Sequence, residues 1–166
     1  KEWSFIELPK GVEKVAVVQG KSFSDVVKCY QTYKWLGYKK IAFSYGASYY
    51  NDVFKHPNKD IGKALGRLSV ISDMIDMDLI GNKDRIHLLG CSLPQEFLYY
   101  KDIEQIESID TSNPVMAAFD GVTYKDWGLD SKPTTKIDEV INKPFDPDVY
   151  MKLKHNVYKF KQINAL

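Results

Sequence analysis

Apolar positions along the chain fall into short continuous runs separated by stretches of helical spacing. Residues 15–18 (VAVV) form the first run, and an unbroken apolar run of this length suits a strand buried on both faces. Gln19-Gly20 closes it with a polar side chain and a turn residue. Phe23, Val26, Val27, Tyr30, Tyr33 and Leu36 then recur at helical spacing, with Ser22 or Ser24 as cap, Asp25 in the first turn and Gly37 as the stop. Residues 39–46 (KKIAFSYG) predict a second strand. Residues 47–59 (ASYYNDVFKHPNK) predict a long Tyr-rich loop, of a length that often carries function. A long amphipathic helix follows over 60–80, its stripe formed by Ile61, Leu65, Leu68, Ile71, Ile75 and Leu79, and Gly81-Asn82 ends it. The central stretch predicts a buried strand over 86–91, a short helix over 93–102 and a strand over 106–110. A short helix over 114–120, an irregular region over 121–144 with a helical turn near 136–141, and a last helix over 148–162 complete the chain. The last helix carries Val149, Leu153, Val157 and Phe160 as its apolar stripe, and Trp3, Phe5 and Ile6 in the lead-in are expected to cover one edge of the core.

Strands alternating with helices imply an α/β fold with a parallel sheet and right-handed crossovers. The chain reads as a single domain over 1–166 with four β/α units, which equal half of a (β/α)8 TIM-type barrel. They also suit a small open doubly wound sheet, and periodicity does not choose between the two.

Composition changes this picture little. Hydrophobic content of 44% and charged content of 27% are ordinary for a globular protein, and a net charge of +1 neither demands nor excludes a nucleic-acid partner. The two cysteines, Cys29 and Cys91, sit far apart inside helical and strand patterns, so a reducing cytoplasm is expected rather than a disulfide framework. No apolar run approaches the roughly 20 residues that span a bilayer, so no membrane partner is expected. The first residue is Lys1, with neither an initiator Met nor a signal-peptide pattern, which leads us to expect a processed, trimmed or excised chain.

Candidate chemistry lies at the carboxyl ends of the predicted strands, where parallel α/β proteins hold their sites. Asp110 ends a strand after Ile109 and precedes Thr111-Ser112-Asn113-Pro114. It can act as a nucleophile or general base in a cleft, or it can cap a helix that has proline at its first position. The Gln19 amide can face a flat heterocycle or belong to a turn. Ser44-Tyr45-Gly46 offers backbone groups and an aromatic ring to a ligand, although Tyr45, Tyr49 and Tyr50 also suit packing in a loop. Cys91 at a strand end is a reactive thiol or an inert small hydrophobe. Lys152, Lys154, Lys159 and Lys161 on the last helix suit phosphates or an ordinary solvated face. His56, His87 and His155 are scattered and no CxxC, CxC or HxxxH occurs, so no metal site is expected. GxGxxG, GxxxxGK[ST] and GxSxG are also absent, and no cofactor is expected.

Taken in order, these strand ends resemble the second half of the tRNA-guanine transglycosylase family, whose (β/α)8 barrel exchanges guanine for a 7-deazaguanine base in nucleic acid. VAVVQG (15–20) is similar to the family strand ending in Gln-Gly, and KKIAFSYG (39–46) to the next one, which the family ends in Gly-Gly. HLLGCSLPQEFL (87–98) resembles its "LMGVGTPEDLL"-type segment, and ESIDTSNP (107–114) the strand that carries the nucleophilic Asp. The resemblance covers 15–114. Ser44-Tyr45 departs from the Gly-Gly pair, the family's zinc ligands are absent, and so is the first half of its barrel with the second aspartate.

The resemblance implies Asp110 as nucleophile, with Gln19, Gly20, Ser44, Tyr45, Gly46, Leu89, Gly90 and Cys91 around the base. It implies tRNA or DNA as substrate, with the C-terminal lysines toward its backbone. The DNA-modifying members diverge most from the family pattern, so a divergent DNA-modifying or viral relative fits. The target nucleotide would leave its stack to reach the site. A half-barrel exposes two sheet edges, so a homodimer or pairing with a missing N-terminal half is expected. Two rival readings are a non-catalytic half-barrel that binds nucleic acid or supports a partner, and an unrelated small-ligand-binding α/β domain.

Overall fold

The computed structural model describes residues 6–144 and 146–164. Trp3 and Phe5 lie outside the described residues, and Ile6 is 45% exposed rather than a cover for the core. Four strands, β1 (Val15–Val18), β2 (Lys40–Ser44), β3 (Arg85–Leu89) and β4 (Ile106–Ile109), form an all-parallel sheet in the order β1-β2-β3-β4. Each strand therefore pairs with its neighbour in sequence, leaving β1 and β4 as the two edges. The β1–β2 and β2–β3 ladders are regular. Between β3 and β4 the register slips, so that Ile86 faces Ile106 but His87 faces Ser108.

The connections are α1 (Phe23–Trp35), then α2 (Tyr50–Val53) with α3 (Lys59–Asp76), then a 3₁₀ helix over Pro94–Tyr100. Ser22 caps α1 by accepting from Asp25 N–H, and Asn58 caps α3 by accepting from Asp60 and Ile61 N–H. All three connections pack on one face of the sheet. Val18, Ile41, Phe43, Ile86 and Leu88 meet Val26 and Tyr30 of α1, Val70, Ile71 and Met74 of α3, and Tyr100. After β4 come α4 (Asn113–Phe119), a one-turn α5 (Ile137–Val140) and α6 (Pro147–Ile163), and α6 packs on α4 and reaches the 3₁₀ helix through Phe97 and Phe160.

Among the described residues no helix covers the opposite face of the sheet. It bears Val15 and Val17 on β1, Lys40, Ala42 and Ser44 on β2, Arg85, His87 and Leu89 on β3, and Glu107 and Ser108 on β4. At its amino end Lys40 bonds Glu107 at 2.7 Å, and Arg85 reaches Glu107 and Glu13. The Lys40 hydrogen bond holds the Glu107 carboxyl below the usual carboxylate range.

Several boundaries and faces differ from the sequence pattern. β2, β3 and β4 stop at Ser44, Leu89 and Ile109, short of positions 46, 91 and 110 where the sequence pattern ends them. The helix expected over 93–102 is a tight 3₁₀ segment. The predicted loop over 47–59 contains α2, and its Tyr49 and Tyr50 are buried against α3. On α3, which ends at Asp76 rather than at 80, the deepest face is Gly62, Ala64, Gly66, Arg67, Val70, Ile71 and Met74, while Ile61, Leu65, Leu68 and Ile75 flank it half-buried and Leu79 lies beyond its end. Small residues win that face because α2 lies so close: a Cβ at Gly66 would fall 2.0 Å from the Tyr50 carbonyl oxygen. On α6 the buried residue is Asn156, and Val157 is turned outward.

Candidate functional site

The carboxyl ends of β3 and β4 open onto a cleft of about 370 Å³, at the small end of the roughly 300–1,000 Å³ range of ligand sites. Tyr45, Gly90, Asp110, Thr111, Lys132 and Lys136 are among the residues lining it. Asp110 follows the last residue of β4, and its N–H donates to Leu88 O at 3.2 Å, extending the ladder by one bond. Its carboxylate is not a helix cap. Oδ1 accepts from Gly90 N–H at 3.1 Å and meets His87 Nε2 at 2.9 Å. The start of α4 is instead served by Thr111, whose hydroxyl accepts from Asn113 N–H at 3.0 Å. Among the described residues Oδ2 has no hydrogen-bond partner, and the side chain is 54% exposed.

Gly90 brings its N–H to this carboxylate from a left-handed backbone (φ +72°), and a Cβ there would lie 2.7 Å from the Tyr45 ring. Tyr45 is fixed in turn. Its N–H donates to Leu89 O at 3.1 Å, its hydroxyl accepts from Lys132 Nζ at 2.6 Å, and the Lys132 ammonium lies 4.9 Å from its ring centroid. Lys132 rides on segment 130–136, which crosses toward the strand ends. Asp120 accepts from Thr134 N–H and Thr135 N–H, Asp60 accepts from Lys132 N–H, and Asn58 donates to Asp130 O. Hydrogen bonds from Thr134 and Thr135 outweigh burial and hold the Asp120 carboxyl below its usual range.

Below the cleft a buried charge organises the strand ends. Arg67 of α3 donates to Phe43 O at 3.1 Å and Gly90 O at 2.9 Å, and pairs with Glu96 at 2.5 Å. Glu96 also accepts from Ser92 N–H, and the Tyr100 hydroxyl lies 3.2 Å from both Arg67 Nε and Glu96 Oε1. Burial alone would disfavour the guanidinium's charge, but Tyr100 and Glu96 outweigh it, so Arg67 stays charged. A second buried group, Asn113, donates to Ser92 O at 2.6 Å and accepts from Tyr124 OH, tying the chain after β3 to the start of α4.

No protein-family model, curated protein or solved structure matches the chain. Its site therefore rests on its own geometry.

The residues singled out from sequence separate into groups. Asp110, Tyr45, Gly90 and Cys91 line the cleft together. Leu89 is part-exposed on the open sheet face, and its carbonyl accepts from Tyr45 N–H. Ser44 folds back, its hydroxyl accepting from Gly46 N–H at 3.1 Å. Gln19 is exposed beyond β1, with its N–H on Cys29 Sγ. Gly20 is a close-packing position, where a Cβ would fall 2.8 Å from Val26 of α1. Cys91 is buried, and burial pushes its thiol up to about 12, which leaves it protonated and a poor nucleophile. Lys152, Lys154, Lys159 and Lys161 lie on α6 and none lines the cleft: Lys152 pairs with Asp148, Lys159 with Asp126, Lys154 lies over the Tyr150 ring, and Lys161 is exposed. The cleft's own cations, Lys132 and Lys136, were missed, as were His87, Ser108, Arg67, Glu96 and Asn113. Among the described residues no cluster of three or more His, Cys, Asp or Glu is placed to hold a metal, and no helix is long and apolar enough to cross a membrane.

In chemical terms the site is a carboxylate held through one oxygen, on a residue that lines a cleft flanked by an aromatic ring and lysines. Such a group can attack an electrophilic carbon or take a proton. Ser108, His87 and Asp110 are the residue types of an acyl-transfer triad, but here the carboxylate faces the cleft, and Ser108 lines a separate groove along the β4 edge.

Proposed function

We propose that this chain supplies four β/α units of a (β/α)8-type barrel and exchanges guanine for a 7-deazaguanine base in tRNA or DNA, with Asp110 as nucleophile. The observation that carries the reading is the Asp110 carboxylate at the carboxyl end of β4, in a residue that lines the cleft, anchored through Oδ1 and, among the described residues, without a partner at Oδ2. The sheet is compatible with it: its strands run in sequential order with the helices on one face, whereas a doubly wound sheet reverses its order at a switch point. In the first step Oδ2 bonds to the anomeric carbon as the bond to guanine breaks, and the base leaves with the bonding pair. In the second step the incoming base bonds to the anomeric carbon and displaces the carboxylate, losing a ring N–H proton to solvent to match the one that the departed guanine takes up. A negative nucleophile also stabilises the oxocarbenium character that develops at the sugar, as in retaining glycosidases. Tyr45 offers a face for stacking, and Lys132 and Lys136 offer charge toward phosphate oxygens. The uncovered sheet face is closed by four further β/α units, from a second copy of the chain or from another polypeptide segment.

The test is incorporation of labelled guanine into tRNA and into duplex DNA by the chain and by Asp110→Asn. The expected outcome is label in one polymer, reduced about 10³-fold or more in the variant. Full incorporation by Asp110→Asn would overturn the nucleophile assignment. Salt-sensitive nucleic-acid binding without any incorporation would favour a non-catalytic binding unit.

A further inference from the structure

Ser108, His87 and Asp110 form a hydrogen-bonded chain across β3 and β4 that the exchange chemistry leaves without a role. His87 Nδ1 lies 2.9 Å from Ser108 Oγ, and Nε2 lies 2.9 Å from Asp110 Oδ1. The bulge between β3 and β4 creates this arrangement. By setting Ser108 rather than Glu107 opposite His87, it brings Ser108 and Asp110, two residues apart on one chain, to the two nitrogens of one ring. The imidazole is 20% exposed, while the carboxylate it meets is 54% exposed at the mouth of the cleft.

We infer that His87, with its tautomer fixed by Ser108, is a positioning residue for Asp110, holding Oδ1 so that Oδ2 faces the cleft. The inference rests on the reading of Asp110 as nucleophile. An ionised carboxylate only accepts hydrogen bonds, so the ring nitrogen on Asp110 carries the hydrogen. In the neutral ring the other nitrogen is then an acceptor, and a hydroxyl is a group that can donate to it. Gly90 N–H holds the same Oδ1 from a second direction, so rotating the carboxylate breaks both bonds. In the covalent intermediate Oδ1 becomes the ester carbonyl oxygen, which still accepts both. When the second base displaces the carboxylate, the returning charge meets two donors already in place. No proton moves along the chain in either step. His87 touches neither sugar nor base and acts only through Asp110.

Two readouts test this. The first is steady-state exchange by the wild type, His87→Phe, His87→Gln and Ser108→Ala. Loss of the ring donor is expected to lower kcat about 10²-fold with KM for the nucleic acid within about twofold, the size of effect that misplacing a reacting group produces. His87→Gln, whose amide can donate in the same direction, is expected to recover at least about tenfold of that loss. Equal losses in Phe and Gln variants, or a change confined to KM, would overturn the inference while Asp110 stands. The second readout needs no activity: ¹⁵N imidazole shifts of the resting protein. The expected spectrum is a single tautomer with hydrogen on Nε2, relaxing to a mixture in Ser108→Ala and in Asp110→Asn. A wild-type ring with hydrogen on Nδ1, or mixed tautomers unchanged by either variant, would overturn the inference. Absence of exchange in the wild type alongside the expected spectrum would fault the reading of the reaction and leave the positioning geometry standing.

Discussion

Two adjacent residues after β3 are limited in different ways, Gly90 by backbone and Cys91 by burial. A side chain at position 90 would meet the Tyr45 ring on a backbone that L residues rarely adopt, so this wall of the cleft depends on having no Cβ. Cys91 is buried at the cleft wall, with its thiol pushed up to about 12 by burial. At pH 8 an alkylating reagent followed by peptide mapping is therefore expected to leave Cys91 unmodified in the folded protein and to label it only with unfolding. Rapid native labelling of Cys91 would contradict its assignment as a packed, inert side chain. At this scale the sequence was partly legible. A carboxylate at a strand end is a recognisable signal, and Asp110 does line the cleft. The rival cap role was equally readable, and only the bonds to Gly90 and His87, with Thr111 serving α4, separate the two. His87 carried no signal, because its partners depend on a register slip between strands that no local pattern encodes.

At the scale of elements, α3 and the 3₁₀ helix are joined by the Arg67–Glu96 pair, whose side chains are 0% and 1% exposed. Removing one partner leaves a buried charge uncompensated, a loss of about 3–5 kcal/mol, whereas replacing both with apolar groups of similar volume is often nearly neutral. Urea unfolding is expected to show Glu96→Ala destabilised by that amount and Arg67→Met/Glu96→Leu recovering much of it. A cost below about 1 kcal/mol for Glu96→Ala would mean that the pair is not what holds these elements together. The double variant also removes donors from the carbonyls of Phe43 and Gly90, so it is expected to lose the proposed base exchange even where stability returns. The existence of α1, α3 and α6 followed from apolar spacing, but the buried face of α3 did not. Periodicity weighs hydrophobicity, whereas that face is chosen by close approach at Gly66 and by a charge satisfied from another element.

At the scale of the molecule, alternation of strand and helix predicted the parallel sheet, and strand order was what alternation left open. The direction of each crossover is a tertiary property, and here β2, β3 and β4 are each laid on the same side of the strand before. Among the described residues the result is a sheet with two unpaired edges and an open face that exposes Val15 and Leu89 among charged residues. Sedimentation velocity across micromolar concentrations is expected to show self-association or, with a complementary chain, a heteromeric species. A monodisperse monomer that unfolds in one cooperative transition would argue against such pairing. The sequential order also bears on how the chain is made. Each strand after β1 finds a partner already synthesised, so the sheet can grow one unit at a time behind the ribosome. A series of release-arrested nascent chains should then gain protease resistance in steps, the first soon after β2 emerges, with Asp110 meeting His87 and Gly90 only at the last sheet step.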